Sequence, residues 1–74
     1  MGKINVKLAE IMLQHNIKQV DLAAAAHLRY ATLNTFFNGQ AKGVDYLTLA
    51  KTLEGLRRLS GQNYDVGDLL KYEE

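Results

Sequence analysis

Apolar side chains recur along this chain at the three- and four-residue intervals of helix faces, in short blocks set apart by polar punctuation. The first block predicts a helix over 5–14, with Leu8, Ile11, Met12 and His15 on one face and Asn5 as its N-cap. Asn16, a residue type that tolerates positive φ, stops it. A second helix is expected over 18–26, where Leu22, Ala23 and Ala26 share a face. The alanines at 23, 24, 25 and 26 carry no helix penalty and leave room for a neighbouring helix to come close. The third, 30–37, turns Leu33 and Phe36 inward and ends at Asn38 and Gly39. A polar loop leads to Asp45, an N-cap for a helix reaching about 59, with Tyr46, Leu49, Ala50, Leu53 and Leu56 inside. After a loop at 60–63, Asp65 and Asp68 form a capping arrangement for a last helix over 66–71. No strand-like alternation competes, and proline is absent, so the reading is an all-α domain of five helices.

Length and charge narrow what such a bundle can do. Seventy-four residues make one domain, 1–74. A chain this short hides only about 60% of its unfolded surface, which leaves no material for a deep substrate cleft. Cysteine is absent, so disulfides and thiolate metal sites are excluded. No apolar run has membrane-span length, and the N-terminus has neither a signal-peptide core nor Ser or Thr at position 6 for myristoylation. A cytoplasmic, nucleoid-associated protein is expected. The formal net charge is only +1. Any affinity for nucleic acid must therefore come from where the charges sit.

The informative stretch is 19–39. Two helices of about eight residues flank a tight turn at His27, Leu28 and Arg29, a helix-turn-helix arrangement in which the second helix can protrude. Eight helical residues span about 12 Å, and the major groove of B-DNA is about as wide. With Leu33 and Phe36 inside, Tyr30, Ala31, Asn34, Thr35 and Phe37 face outward, and none of them is acidic. Ala31 and the Thr35 methyl suit a thymine methyl; the Tyr30 and Thr35 hydroxyls can bond bases or phosphates. Phe37 is expected to pack on the following loop, with a partner contact as the alternative. Lys18, Arg29 and Lys42 surround the face, with Lys3 and Lys7 as further candidates. Neutralising about five phosphates would give a log K against log salt slope of about −4 to −5.

The order Gln19, Leu22, Ala23, then Leu28, then Thr32 and Leu33, then Asn38 and Gly39 resembles the Cro/repressor (Xre-like) helix-turn-helix family. Asp45 to Leu49 and Val66 to Leu70 resemble a small single-domain branch of it, so the likeness runs from Leu8 to Leu70. It implies a five-helix, lambda-repressor-like DNA-binding domain, a homodimeric transcriptional repressor that inserts helix 30–37 in the major groove of double-stranded DNA. Tyr30, Ala31, Asn34 and Thr35 would then meet base edges. Gln19, Lys18, Arg29, Thr32, Asn38 and Lys42 would meet phosphates. Two departures stand out: His27 occupies the turn position where the family has glycine, and Arg29 replaces the Ser or Thr cap of the recognition helix.

Plainer readings compete at some positions. His15 and His27 lack the company a metal site needs, so His15 reads as a core-edge residue and His27 as a turn residue. No nucleophile, base or phosphate-cradling loop is arranged for catalysis; neither enzyme activity, a cofactor nor a small-molecule ligand is expected. The stripe Leu59, Tyr64, Val66, Leu69, Leu70 and Tyr72 reads as core closure with some share in a dimer surface. The alternative function is a protein-interaction module that kept the fold and lost DNA binding, suggested by the near-neutral charge and the Phe36–Phe37 pair.

Overall fold

A computed structural model describes residues 2–39 and 43–74. Strand β1 (Lys3–Val6) is followed by helices α1 (Leu8–Gln14), α2 (Gln19–Ala26), α3 (Tyr30–Phe37), α4 (Tyr46–Ser60) and α5 (Val66–Leu69), and strand β2 (Leu70–Glu73) closes the order. The five helices stand where periodicity places them. The fold is nevertheless not strictly all-α, because β1 and β2 form an antiparallel two-stranded sheet with Lys3 opposite Glu73 and Val6 opposite Leu70.

That sheet corrects two boundaries. Asn5 lies in β1 and caps nothing; α1 begins at Leu8, with Lys7 at its N-cap. The last helix stops at Leu69, since the backbone from Leu70 on is extended. Lys7 N–H donates to the Leu69 carbonyl at 2.7 Å, so the ladder continues into the first turn of α1. Lys7 Nζ also lies 3.6 Å from a Glu73 carboxylate oxygen and 3.8 Å from Glu10. Glu73 is held below its ordinary pKa of 4.5, chiefly by a hydrogen bond from the Asn5 side chain, with Lys7 and Lys3 adding to it against an opposing effect of burial. A depressed carboxylate stabilises the folded state fully above that ordinary value, and the contribution fades as pH falls through the lower folded value. Protection of the β1 amides, the exchange rate set against the intrinsic rate at each pH, is therefore expected to fall below about pH 4 before that of the helices; protection lost from strand and helices together would contradict it.

Two tight turns share one mechanism. Asn16 and His27 both adopt the left-handed conformation, each at φ 56°. After Asn16, Ile17 N–H reaches back to Met12 O at 2.8 Å, and after His27, Leu28 N–H reaches Ala23 O at 2.9 Å. With Asn16 N–H bonded to Leu13 O and His27 N–H to Ala24 O, both ends are Schellman motifs. Ile17 and Leu28, the residues just past each left-handed position, tuck against the core. His27 thus fills the usual glycine position at the steric cost of a Cβ there.

The core comprises Leu8, Ile11 and Met12 from α1, Leu22, Ala23 and Ala26 from α2, Leu33 and Phe36 from α3, Leu56 from α4 and Leu69 from α5. The inner face of α4 differs from the expected stripe. Tyr46 is 91% exposed and Ala50 is exposed, whereas Thr52, Gly55 and Leu56 are buried and Leu49 and Leu53 half-buried. Thr52 can be buried because its hydroxyl donates to Thr48 O at 2.8 Å. Gly55 is buried because α2 crosses right over it, in agreement with the close approach its alanines allow. In the C-terminal stripe Leu69 is buried and Tyr64 and Leu70 are half-buried, but Leu59, Val66 and Tyr72 stay exposed. The Asp65–Asp68 capping box forms: Asp65 N–H donates to Asp68 Oδ2 at 3.0 Å, and Val66 N–H to Asp65 Oδ1 at 2.8 Å. His15 does sit at the core edge, 2.6 Å from the Tyr64 hydroxyl, while Arg57 Nε donates to Tyr64 O.

Candidate nucleic-acid interface

Helix α3 is anchored by two side chains and otherwise faces outward. Leu33 is sealed and Phe36 nearly so, which fixes the helix's rotation about its own axis. Tyr30, Ala31, Thr32, Thr35 and Asn38 are then exposed and Asn34 is half-buried. Phe37 is the exception to the expected outer set. It is half-buried and packs against the core, sharing a groove of about 440 Å³ with Met12, Leu13 and Ile17, while residues 40–42 of the loop it was expected to meet lie outside the described residues.

Hydrogen bonds within α3 constrain what its polar groups can offer. The Thr35 hydroxyl donates to Ala31 O at 3.0 Å, so it can only accept from a base, while its methyl remains available for a thymine methyl. Asn38 Nδ2 donates to Asn34 Oδ1 at 3.4 Å, which leaves the Asn34 amide nitrogen as its free donor. The Tyr30 hydroxyl has no partner among the described residues.

Around this helix the cations are partly as expected. Lys18 and Gln19 line the same groove as Tyr30, so three of the expected contact residues come together on one flank. Lys18 and Arg29 are the N-cap residues of α2 and α3, both in extended conformation, and neither side chain caps its helix. Neither forms an ion pair among the described residues. Lys7, by contrast, is engaged by Glu10 and Glu73 at the sheet, and drops out of the expected cation set. Lys42 lies outside the described residues.

The Gln19 carbonyl oxygen is buried without a hydrogen-bond partner. Its amide nitrogen is the end a phosphate oxygen requires, since phosphate supplies no proton at neutral pH. On the opposite flank a groove of about 270 Å³ is lined by Thr32 and Thr35 of α3 with Val44, Asp45 and Thr48. Asp45 sits at the N-cap of α4 in the expected position, though without a side-chain hydrogen bond of capping geometry. The Thr48 hydroxyl beside it lowers its pKa against an opposing effect of burial, so it is ionised at neutral pH. The sequence marks Asp45 only as a cap. Its position beside α3 places one carboxylate on the flank away from Lys18, where it can accept from an exocyclic base amine and repels a phosphate.

Among the described residues no three His, Asp or Glu side chains gather as metal ligands, and no helix is long and apolar enough to cross a membrane. What the geometry offers is a short exposed helix with no acid of its own, carried on a second helix whose N-terminus lies beside it. This is a helix-turn-helix domain. The family model of the Cro/C1-type HTH DNA-binding domain matches residues 7–74, and the chain belongs to that family. No curated protein and no solved structure gives a significant match.

Proposed function

We propose that the protein is a sequence-specific transcriptional repressor that inserts α3 into the major groove of double-stranded DNA and works as a two-fold homodimer. Tyr30, Ala31, Asn34 and Thr35 meet base edges; Gln19, Lys18, Arg29, Thr32, Asn38 and Lys42 meet sugar–phosphate. The observation that carries this reading is the exposed face of α3 beside cations, at the N-caps of α2 and α3, that form no ion pair among the described residues. Backbone N–H groups at a helix start favour an anion by themselves, and a cation beside them adds to the attraction. A single helix-turn-helix reads few base pairs, so two half-sites about 34 Å apart are expected.

The first test is titration of a random duplex at low salt, read by fluorescence anisotropy. Non-specific binding tighter than about 100 μM supports the reading, and none at that concentration supports the interaction-module alternative. Because Lys7 is held by carboxylates, the salt slope should be shallower than five phosphates would give, about −3 to −4. Selection from a random pool then supplies the operator. On that operator Thr35→Ala should cost about 1–3 kcal/mol while leaving scrambled DNA nearly unaffected. An equal loss on both sequences would remove Thr35 from the base-reading set.

A further inference from the structure

The two flanks of α3 differ in chemistry. On one, the groove of about 440 Å³ carries Lys18 and Gln19 and so offers donors. On the other, the groove of about 270 Å³ is lined by Thr32, Thr35 and Phe36 of α3 with Val44, Asp45 and Thr48, and no lysine or arginine lines it among the described residues. Its protons are already placed. The Thr35 hydroxyl gives its proton to Ala31 O at 3.0 Å, and the Thr48 hydroxyl is turned to the Asp45 carboxylate, whose pKa it lowers. A hydroxyl has one proton and two lone pairs, so Thr35 is left presenting an acceptor. Asp45 is exposed and forms no ion pair among the described residues. Although it stands at the N-cap of α4, its carboxylate makes no capping hydrogen bond, so its lone pairs stay available.

Such a groove takes a hydrogen-bond donor, and the apolar side chains of Phe36 and Val44 strengthen the bond by keeping water from one side. On the major-groove edge of DNA the donors are the N4 amine of cytosine and the N6 amine of adenine. Guanine O6 and thymine O4 are acceptors, which a carboxylate repels. Adenine sets its N7 lone pair beside the amine, so a carboxylate gains one contact there and is repelled at the next. Cytosine carries the amine with no acceptor beside it on its own edge. The chemistry of the groove therefore selects cytosine.

We propose that Asp45, which lies outside the recognition helix, is a specificity-determining residue that accepts a hydrogen bond from the N4 amine of a cytosine, with Thr48 as the positioning residue that holds its carboxylate. The inference rests on insertion of α3 into the major groove and adds to it a base identity that α3 does not supply. None of Tyr30, Ala31, Asn34 and Thr35 carries a carboxylate, so α3 has no group of its own suited to a lone amine. Because Thr35 and Asp45 share one groove, the cytosine belongs to the base pair that Thr35 meets or to the one beside it.

The test is selection from a random duplex pool with the parent chain and with Asp45→Asn, followed by anisotropy titration of duplexes that differ only at the base pair concerned. Asparagine is as good an N-cap type as aspartate, so the fold is kept; a thermal melt matching the parent's checks this. It exchanges one acceptor oxygen for an amide that donates. Preference for cytosine at one position should then fall about tenfold or more, while adenine, which pairs with an amide through N6 and N7, gains there. Preferences at the other positions should hold. Thr48→Val should loosen the same position by a smaller factor, and Thr48→Ser, which keeps the hydroxyl, should retain it. A parent that selects no cytosine, or an Asp45→Asn variant whose affinity changes equally on every sequence, would overturn the proposal, the second result making Asp45 a cap or a repelling charge only. A parent that binds no duplex at all fails differently: it removes the groove-insertion reading itself, and this inference with it.

Discussion

Replacing Gly55 with leucine is expected to destabilise the domain by about 3 kcal/mol or more, toward the upper end of what overpacking costs. A Cβ at this position would lie 2.9 Å from Leu22 Cδ1, 3.0 Å from Ala26 Cβ and 3.1 Å from the Ala26 backbone nitrogen. Leu22 and Ala26 are themselves sealed in the core, so neither has space to retreat into. The Ala26 nitrogen can move only if α2 moves, and α2 carries the helix-turn-helix. A domain of 74 residues has about 4–11 kcal/mol to lose in total, so the variant should be largely unfolded under mild denaturant. Gly55→Ala sets a smaller clash against a helix-propensity gain of up to about 1 kcal/mol, and should come out mildly destabilising. Gly67→Ala is the control: nothing lies within 4 Å of its Cβ, so stability should hold or rise. Urea unfolding followed by far-ultraviolet circular dichroism measures all three. A leucine variant with the parent's midpoint would mean that α2 and α4 do not pack as described.

The same contact shows how much of the fold was legible in the sequence and where legibility stopped. The alanines of α2 announce a close neighbour by their size, and a helix expected over 18–26 and found over Gln19–Ala26, with one over 30–37, follows from periodicity and from stop residues of the right kind, Asn16, His27 and Gly39. Nothing local says which glycine receives the alanines, because Gly55 reads as an ordinary interruption until α4 is laid against α2. The sheet was missed for a related reason. Its strands are four residues each and come from opposite ends of the chain, so their alternation is too brief to outvote a helical period that runs on through Leu8. Asn5 is a good cap by residue type, and pairing with Lys71 overrides that preference. At the candidate interface, the outward set on α3 needed only the identification of Leu33 and Phe36 as anchors. The company of Lys7 and the neighbourhood of Asp45 depend on tertiary placement and could not be read ahead.

Arg29→Asp is expected to move stability and DNA affinity in opposite directions. The N-caps of α4 and α5 are aspartates, the residue type that bonds orphan N–H groups and complements the positive end of a helix. The N-caps of α2 and α3 are Lys18 and Arg29, which do neither and add positive charge where the helix is already positive. Local stability disfavours those residues, a cost that a bound anion would offset. Aspartate at 29 should therefore stabilise the free protein by about 1 kcal/mol through capping. On DNA it removes a charge-assisted hydrogen bond to phosphate, worth about 1.5–3 kcal/mol, and sets a carboxylate against the backbone. Affinity should fall on the order of 100-fold, equally on operator and scrambled duplex, with the salt slope shallower by about one. Arg29→Ser separates the two contributions, since it supplies a cap without the repulsion. Thermal melts and anisotropy titrations on the same preparations decide the matter. If the aspartate variant melts lower than the parent, Arg29 supports the fold; if it binds as tightly, the phosphate path runs elsewhere. Only a rise in one quantity with a fall in the other fits a cation kept at a helix start for the sake of an anionic partner.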